Sequence, residues 1–386
     1  MKIGMVVGEA SGDLLGAKLM QALQARCPGL QFEGMGGPAM QALGFKSHFD
    51  AERLAVMGLI EPLLHLPDLI RLRRDLYHFF IEHRPDVFIG IDSPDFNLGL
   101  EVKLKQAGLP VVHVVSPSVW AWRQGRVKTI KKAVNLMLTL LPFEAAFYEK
   151  HQVPVRYVGH PLAETIPMVI DTAAAKLALG LSSTDSVIAL LPGSRQQEIK
   201  YLAEPYLLAA KKCFEANPQL KFITAQVNEK RAKAFLEIKE RIAPELPLQC
   251  FIARSHEVMA AADAVVVTSG TATLEVMLHK KPMVITYRMS PITHWLAKKL
   301  VKLKHMGLPN LLADERLVPE LLQDEVTPEA IAKQVLHFLD DQAASDVLRK
   351  KFTDLHQQLK MPTADAMADA VMVFLKRAPL PNPPQA

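Results

Sequence analysis

Long apolar runs are missing from this 386-residue sequence. None reaches the roughly 18 consecutive apolar residues a membrane-crossing helix needs, so the expectation is a soluble protein or one lying on a membrane surface. Cysteine is scarce. Cys27, Cys213 and Cys250 are scattered without a CxxC pair, which excludes a disulfide framework and reads as reduced cytosolic thiols. The dinucleotide fingerprint and the Walker lysine motif are absent, since neither Gly8-Glu-Ala-Ser-Gly12 nor Gly34-Met-Gly-Gly37 fits G-x-G-x-x-G. No histidine cluster or short acidic motif offers a site for a divalent ion, so neither a metal nor a cofactor is expected. Recognition patterns of RNA- and DNA-binding modules are lacking, and a net charge of +5 is only mildly basic, so nucleic acid is not an expected partner. The first residues read as a strand, not as a charged-then-apolar leader.

What is present is a globular composition, 49% hydrophobic and 22% charged, in a chain long enough for two domains. Apolar runs at 2–7, 31–35, 86–92, 110–115 and 134–140 alternate with helical patterns at 12–26, 63–82, 96–107 and 144–151. The second half repeats the scheme, with strands at 187–191, 221–225, 247–251, 264–268 and 282–286. Its helices are expected at 196–214, 228–242, 271–279, 291–304 and 328–339, followed by two more near 343–358 and 364–377. Near-continuous apolar strands between amphipathic helices imply parallel sheets covered on both faces, hence an α/β fold. The expected organisation is an N-terminal domain over 1–165, a second over 166–345, C-terminal helices over 346–378 and a proline-rich tail over 379–386. Tyr157-Val-Gly-His-Pro-Leu162 and the residues after it read as the linker.

Two strand–turn–helix starts stand out. Val187–Leu191 runs into Pro192-Gly193-Ser194-Arg195, and Lys2–Val7 into Gly8-Glu9-Ala-Ser11-Gly-Asp13. A buried strand feeding a small-residue turn and a helix makes an anion site, because free backbone N–H groups and the helix dipole meet there. Arg195 adds a fixed positive charge. The first turn carries Glu9, Ser11 and Asp13 instead, a rim better suited to sugar hydroxyls, although Asp13 also fits a plain first-turn helix charge. A third start, Ser269-Gly270-Thr271, precedes a helix containing Glu275. A diphosphate fits the helix start and ribose hydroxyls fit the carboxylate; the plainer alternative has Thr271 or Ser269 as cap and Glu275 as a solvated acid.

Asp92 ends a buried strand, where a carboxylate needs a partner or a task, and general base is such a task. Asp95 is expected to cap the helix starting near Phe96. Ser116-Pro-Ser-Val-Trp-Ala-Trp-Arg123 sets two tryptophans about one alanine, able to wall a sugar or acyl pocket or simply to pack a loop. His113 and His160 read as structural. Asn310, in Leu308-Pro-Asn-Leu-Leu312, either donates to a phosphate or holds a turn. Two stretches are apolar and basic together: Ile60, Leu63, Leu64 and Leu69 near Arg71, Arg73 and Arg74, and Trp295 among Lys298, Lys299, Lys302 and Lys304. Both fit an anionic lipid interface, and both also fit a core-facing stripe with a solvated rim.

Taken together, these motifs resemble the lipid-A-disaccharide synthase family, bacterial glycosyltransferases of the two-domain GT-B type, nearly end to end. Gly90-Ile-Asp-Ser-Pro-Asp-Phe-Asn97, Leu141-Pro-Phe-Glu144 and Leu54-Ala-Val-Met-Gly58 belong to the match, and the Ser116–Arg123 block is its most specific part. The resemblance implies two Rossmann-like domains facing each other across a cleft, acceptor side first and UDP-sugar side second. It implies inverting transfer of 2,3-diacylglucosamine from its UDP donor to the 6-hydroxyl of 2,3-diacylglucosamine 1-phosphate. Asp92 is then the general base (with Glu9 the other candidate acid), Arg195 and Asn310 belong to the catalytic set, and Gly193, Ser194, Ser269, Gly270, Thr271 and Glu275 hold UDP. Glu9 and Ser11 line the substrate side. Attachment to the cytoplasmic face of the inner membrane through its lipid surface follows from the acyl chains, and a homodimer is compatible with the long C-terminal helices. A sugar 2-epimerase of the same fold and a non-catalytic binder of nucleotide or lipid are the competing readings.

Overall fold

All five residues of Val87–Ile91 are buried, and Val187–Leu191 and Ala264–Thr268 repeat the pattern. Burying a Val, Leu or Ile side chain stabilises by about 1.5–3 kcal/mol, so such a run gains most where helices cover both faces of its sheet. That is the arrangement in the computed structural model, which describes residues 1–51, 53–54, 66–290 and 304–377. The first sheet contains β1 (Lys2–Val7), β2 (Gln31–Met35), β3 (Lys46–Ser47), β4 (Val87–Ile91), β5 (Val111–Val114), β6 (Leu136–Thr139) and β7 (Val155–Tyr157). Its order is β3-β2-β1-β4-β5-β6-β7. The second contains β8 (Val187–Leu191), β9 (Lys221–Gln226), β10 (Leu248–Ile252), β11 (Ala264–Thr268), β12 (Met283–Tyr287) and β13 (Glu320–Leu322), in the order β10-β9-β8-β11-β12-β13. Every pairing is parallel.

The chain forms two compact units, Met1–Glu164 with the segment from Leu359 onward, and Thr165–Gln358. The return is made by the Thr363–Arg377 helix, whose Met367, Ala368 and Val371 join Leu19 and Leu23 in the first unit's core. Arg26 fastens it, pairing with Asp365 at 2.8 Å and Asp369 at 2.7 Å.

In each sheet the strand order reverses once, between β1 and β4 in the first and between β8 and β11 in the second. Helices leave opposite faces on either side of such a point, so a crevice opens at the carboxyl ends of those two strands, where doubly wound sheets bind ligands. The turns singled out in the sequence follow β1, β4, β8 and β11 and so fall at the two reversals.

Three strands lack a sequence signal: β3, β7 and β13 are two or three residues long and lie at sheet edges, where little apolar pattern is required. Helices Thr172–Ala178 and Ser255–Ala261 are likewise additions. The stretch expected as a linker does lead from the first unit to the second, the division falling at Glu164–Thr165, but it is structured. Tyr157 ends β7, His160 N–H donates to the Leu359 carbonyl, and Pro161–Thr165 is helical. The helix expected over 291–304 lies outside the described residues apart from Lys304.

Candidate active site

At the first reversal Val7 is in register with Ile91, so the turns after β1 and β4 lie side by side. Gly8 permits the approach, because a Cβ there would meet the side chains of Ser93 and Leu54. Glu9 occupies the cap position of the Ala10–Arg26 helix without a side-chain capping bond, and both Glu9 and Ser11 are exposed. Asp13 leaves the rim proposed for it. It is buried and accepts from the backbone N–H groups of Gly37, Ala39 and Met40 at 3.0, 2.8 and 3.1 Å, bracing the next turn.

Asp92 and Ser93 take left-handed backbone, with φ of 55° and 44°. Such residues cost on the order of 1–3 kcal/mol each and persist only where the surroundings hold them. Here Asp92 N–H donates to the Val114 carbonyl at 2.9 Å, Asn97 Nδ2 donates to the Asp92 carbonyl at 2.8 Å, and Ser93 N–H donates to Asp92 Oδ1 at 2.8 Å. The half-buried carboxylate is thus held by one oxygen, and among the described residues its other oxygen accepts no hydrogen bond. Asp95 is not the cap expected of it. Ser93 occupies the cap position without a side-chain bond, and Asp95 pairs with Arg126 at 2.6 Å.

Behind this turn the fully buried Glu101 and His113 meet at 2.6 Å. Burial opposes a charged imidazole, but the Glu101 carboxylate outweighs it, and with help from Asp92 raises the His113 pKa. Beyond β5, Trp120 Nε1 donates to Glu144 Oε1 at 3.1 Å and the indole meets Phe143 edge-on at 4.7 Å. Leu141 N–H donates to Glu144 Oε2 at 3.2 Å. Burial pushes the Glu144 carboxyl up to about 7. The tryptophans therefore divide: Trp120 anchors the loop, and Trp122 is exposed beneath the Arg123 guanidinium at 4.4 Å.

At the second reversal Arg195 opens the Gln196–Ala216 helix. Its N–H donates to Glu198 Oε2 at 2.9 Å and its guanidinium pairs with Glu198 Oε1 at 3.0 Å, yet the side chain is 83% exposed and available to a ligand. Arg231, which carries no signal in its local sequence, reaches this turn from another helix, donating to the Ser194 carbonyl at 3.3 Å and to Gln196 Oε1 at 2.9 Å. Gly193 lies in the turn before it.

Beyond β11 the Thr271–Leu278 helix begins at Gly270, whose φ of 147° suits glycine, and no side chain caps it. Ser269 and Thr271 are thus not the caps considered; Ser269 Oγ donates to the Met306 carbonyl at 3.0 Å. Glu275 is half-buried, and burial raises its pKa against the opposing charge of His256. Asn310 is fully buried with its amide engaged throughout. Nδ2 donates to the Val318 carbonyl and Glu320 Oε1 at 3.0 and 2.8 Å, and Oδ1 accepts from Leu317 and Val318 N–H at 2.9 and 3.0 Å. It holds the turn, and no donor is left for a phosphate.

Ile60, Leu63, Leu64 and Trp295 lie outside the described residues. Leu69 is half-buried and packs on the core with Leu72 and Leu76, which removes it from an acyl-facing role. Leu66 and Ile70, 49% and 55% exposed, carry the apolar face of that helix, and Arg71 and Arg74 are exposed beside them. Among the described residues no helix is long and apolar enough to cross a membrane.

The model of the lipid-A-disaccharide synthetase family matches residues 3–371. The lipid-A-disaccharide synthase of Saccharophagus degradans is 50% identical over 376 residues, 97% of each chain. Among solved structures, UDP-GlcNAc 2-epimerase from Neisseria meningitidis bound to UDP-GlcNAc superposes with a TM-score of 0.65 at 11% identity, covering 98% of this chain and 100% of that one. The calicheamicin glycosyltransferase CalG4 gives a TM-score of 0.59 at 15% identity over 98% and 99% of the two chains. These two likenesses are of fold, and they place the parallel-sheet units in the GT-B class.

Proposed function

Because the chain belongs to the lipid-A-disaccharide synthase family and is a glycosyltransferase, we propose how its two sheet reversals divide one reaction. The first unit takes 2,3-diacylglucosamine 1-phosphate and the second takes UDP-2,3-diacylglucosamine. The acceptor 6-hydroxyl oxygen attacks the anomeric carbon of the donor while the bond to the diphosphate breaks, and the hydroxyl proton passes to Asp92. One displacement inverts the centre, giving a β(1→6) disaccharide 1-phosphate and UDP.

The observation that carries this reading is the Asp92 turn. A carboxylate held by one oxygen in strained backbone at a strand end, with the other oxygen unbonded among the described residues, is an oriented base. Arg195 and the uncapped Gly270–Thr271 helix start offer the charge and N–H groups that a departing diphosphate needs. Glu275 accepts from the ribose hydroxyls. Glu9 and Ser11 meet the acceptor sugar, and Asn310 acts by holding the turn through Glu320 and Val318.

Leu66 and Ile70 beside Arg71 and Arg74 support a seat on an anionic lipid surface, the cytoplasmic face of the inner membrane, where diacylated substrates reside. The experiment is to incubate the protein with both acylated sugars. UDP and disaccharide should appear in equal amounts and only when both are present. An epimer formed from UDP-N-acetylglucosamine alone would contradict the reading.

A further inference from the structure

The reaction proposed above leaves Arg123, exposed on the loop after β5, without a task. The backbone at Arg123 is left-handed, with φ 56°, and its guanidinium lies over the exposed Trp122 ring at 4.4 Å. Among the described residues no carboxylate pairs with it. Stacking on an indole occupies the guanidinium face and leaves its N–H edge outward, the geometry that meets two phosphate oxygens at once.

Both ends of the loop are pinned close to the Asp92 turn. Val115 N–H donates to the Leu138 carbonyl at 3.1 Å, next to the Val114 carbonyl that receives Asp92 N–H. Trp120 is tied to Glu144, and Gln124 Nε2 donates to the Trp120 carbonyl at 3.2 Å. Arg126 then donates to the Pro94 carbonyl at 3.3 Å and neutralises Asp95, the nearest exposed acid on the following turn. Arg123 is thus carried on a loop anchored to residues two and three positions beyond Asp92, and Asp95 is already paired with Arg126.

We propose that Trp122 and Arg123 form a phosphate-monoester site on the acceptor side, with Arg123 taking two phosphate oxygens of a phosphosugar and Trp122 holding the guanidinium in place. This rests on the reading of the first unit as the acceptor side. It makes Arg123 a specificity residue that distinguishes a sugar 1-phosphate from the same sugar with a free 1-hydroxyl. A guanidinium stays charged throughout the working pH range, so the site needs no titration to function. Phospholipid headgroups carry the same phosphate chemistry, and the test separates the two sources.

The full chain is assayed in detergent free of phospholipid, with short-chain diacylglucosamine acceptors bearing either the 1-phosphate or a 1-hydroxyl. Arg123→Ala should raise KM for the phosphorylated acceptor about 10- to 100-fold, the usual worth of a charge-assisted bidentate contact. It should leave KM for the donor, UDP affinity and kcat/KM for the 1-hydroxyl acceptor unchanged. Arg123→Lys should recover part of the loss, and Trp122→Ala should lose part of the preference. Equal loss with both acceptors, or none, overturns the proposal. So does weakened binding of Arg123→Ala to phosphatidylglycerol vesicles with an unchanged acceptor KM, because Arg123 then meets headgroups. If the wild type forms no disaccharide the proposed reaction fails on its own; calorimetric binding of the phosphorylated acceptor then decides the site, supported by weakening in Arg123→Ala and overturned by equal affinity.

Discussion

Glu101 Oε1 lies 2.6 Å from His113 Nδ1, and neither side chain reaches solvent. Room for the pair is left by Gly90, where a Cβ would collide with the Glu101 carboxylate and crowd His113 Nδ1. Removing one member strands the other's charge in the interior, so Glu101→Ala should destabilise the protein by about 3–5 kcal/mol in urea unfolding. His113→Ala should add much less in that background than it costs alone. The sign with pH follows from the raised His113 pKa. Stability from the charged imidazole is full below the ordinary value near 6.5 and is lost as pH rises through the higher folded value. A loss that appears on acidification instead would contradict this assignment.

Glu144 predicts a second slope. Its carboxyl is lifted to about 7 by burial, so the folded protein keeps a proton that the unfolded chain releases near 4.5. Stability should therefore fall between about pH 4.5 and 7, by up to roughly 3 kcal/mol, and then level off. Glu144→Gln should flatten that interval, at the cost of one hydrogen bond to Trp120 or Leu141. Trp120 donates to this carboxyl, so indole fluorescence should report its ionisation near pH 7 in the wild type and stay flat in the variant.

Glu275→Ala should weaken UDP binding about tenfold or more while leaving the fold intact, since the side chain has no hydrogen bond to another side chain among the described residues and lies beyond an uncapped helix start. Calorimetric titration with UDP checks this; an unaltered affinity returns Glu275 to a packing role.

Replacing Leu66 and Ile70 with serine should shift the protein away from anionic vesicles in a flotation assay. Both side chains are exposed, so the melting temperature should change little. Leu69→Ser is the contrasting variant, because Leu69 packs on the core and should lose stability first.

How much of this was legible depends on whether a residue's partners lie near it in sequence. Val87–Ile91 and Val187–Leu191 declare themselves by unbroken apolar runs, and the turns after them follow from the doubly wound pattern. Asp13 does not, because the N–H groups it binds belong to Gly37, Ala39 and Met40 on another turn. Asn310 reads equally as a phosphate donor or a turn holder until Val318 and Glu320 are seen to use its amide. Glu144 enters the sequence reading only as part of Leu141-Pro-Phe-Glu144, and its burial, visible only in the fold, is what retains its proton against the Trp120 and Leu141 hydrogen bonds. Leu66, Leu69 and Ile70 share one apolar stretch, and only the helix phase separates the exposed pair from the half-buried residue.

Proton transfer to Asp92 is tested most directly by Asp92→Asn. Asparagine keeps an acceptor for Ser93 N–H and the same shape, yet cannot take a proton at neutral pH. With both acylated sugars present, disaccharide formation should fall by about 10²- to 10⁴-fold while UDP-donor affinity and melting temperature stay near the wild-type values. Turnover within a few fold of wild type would remove Asp92 as the base.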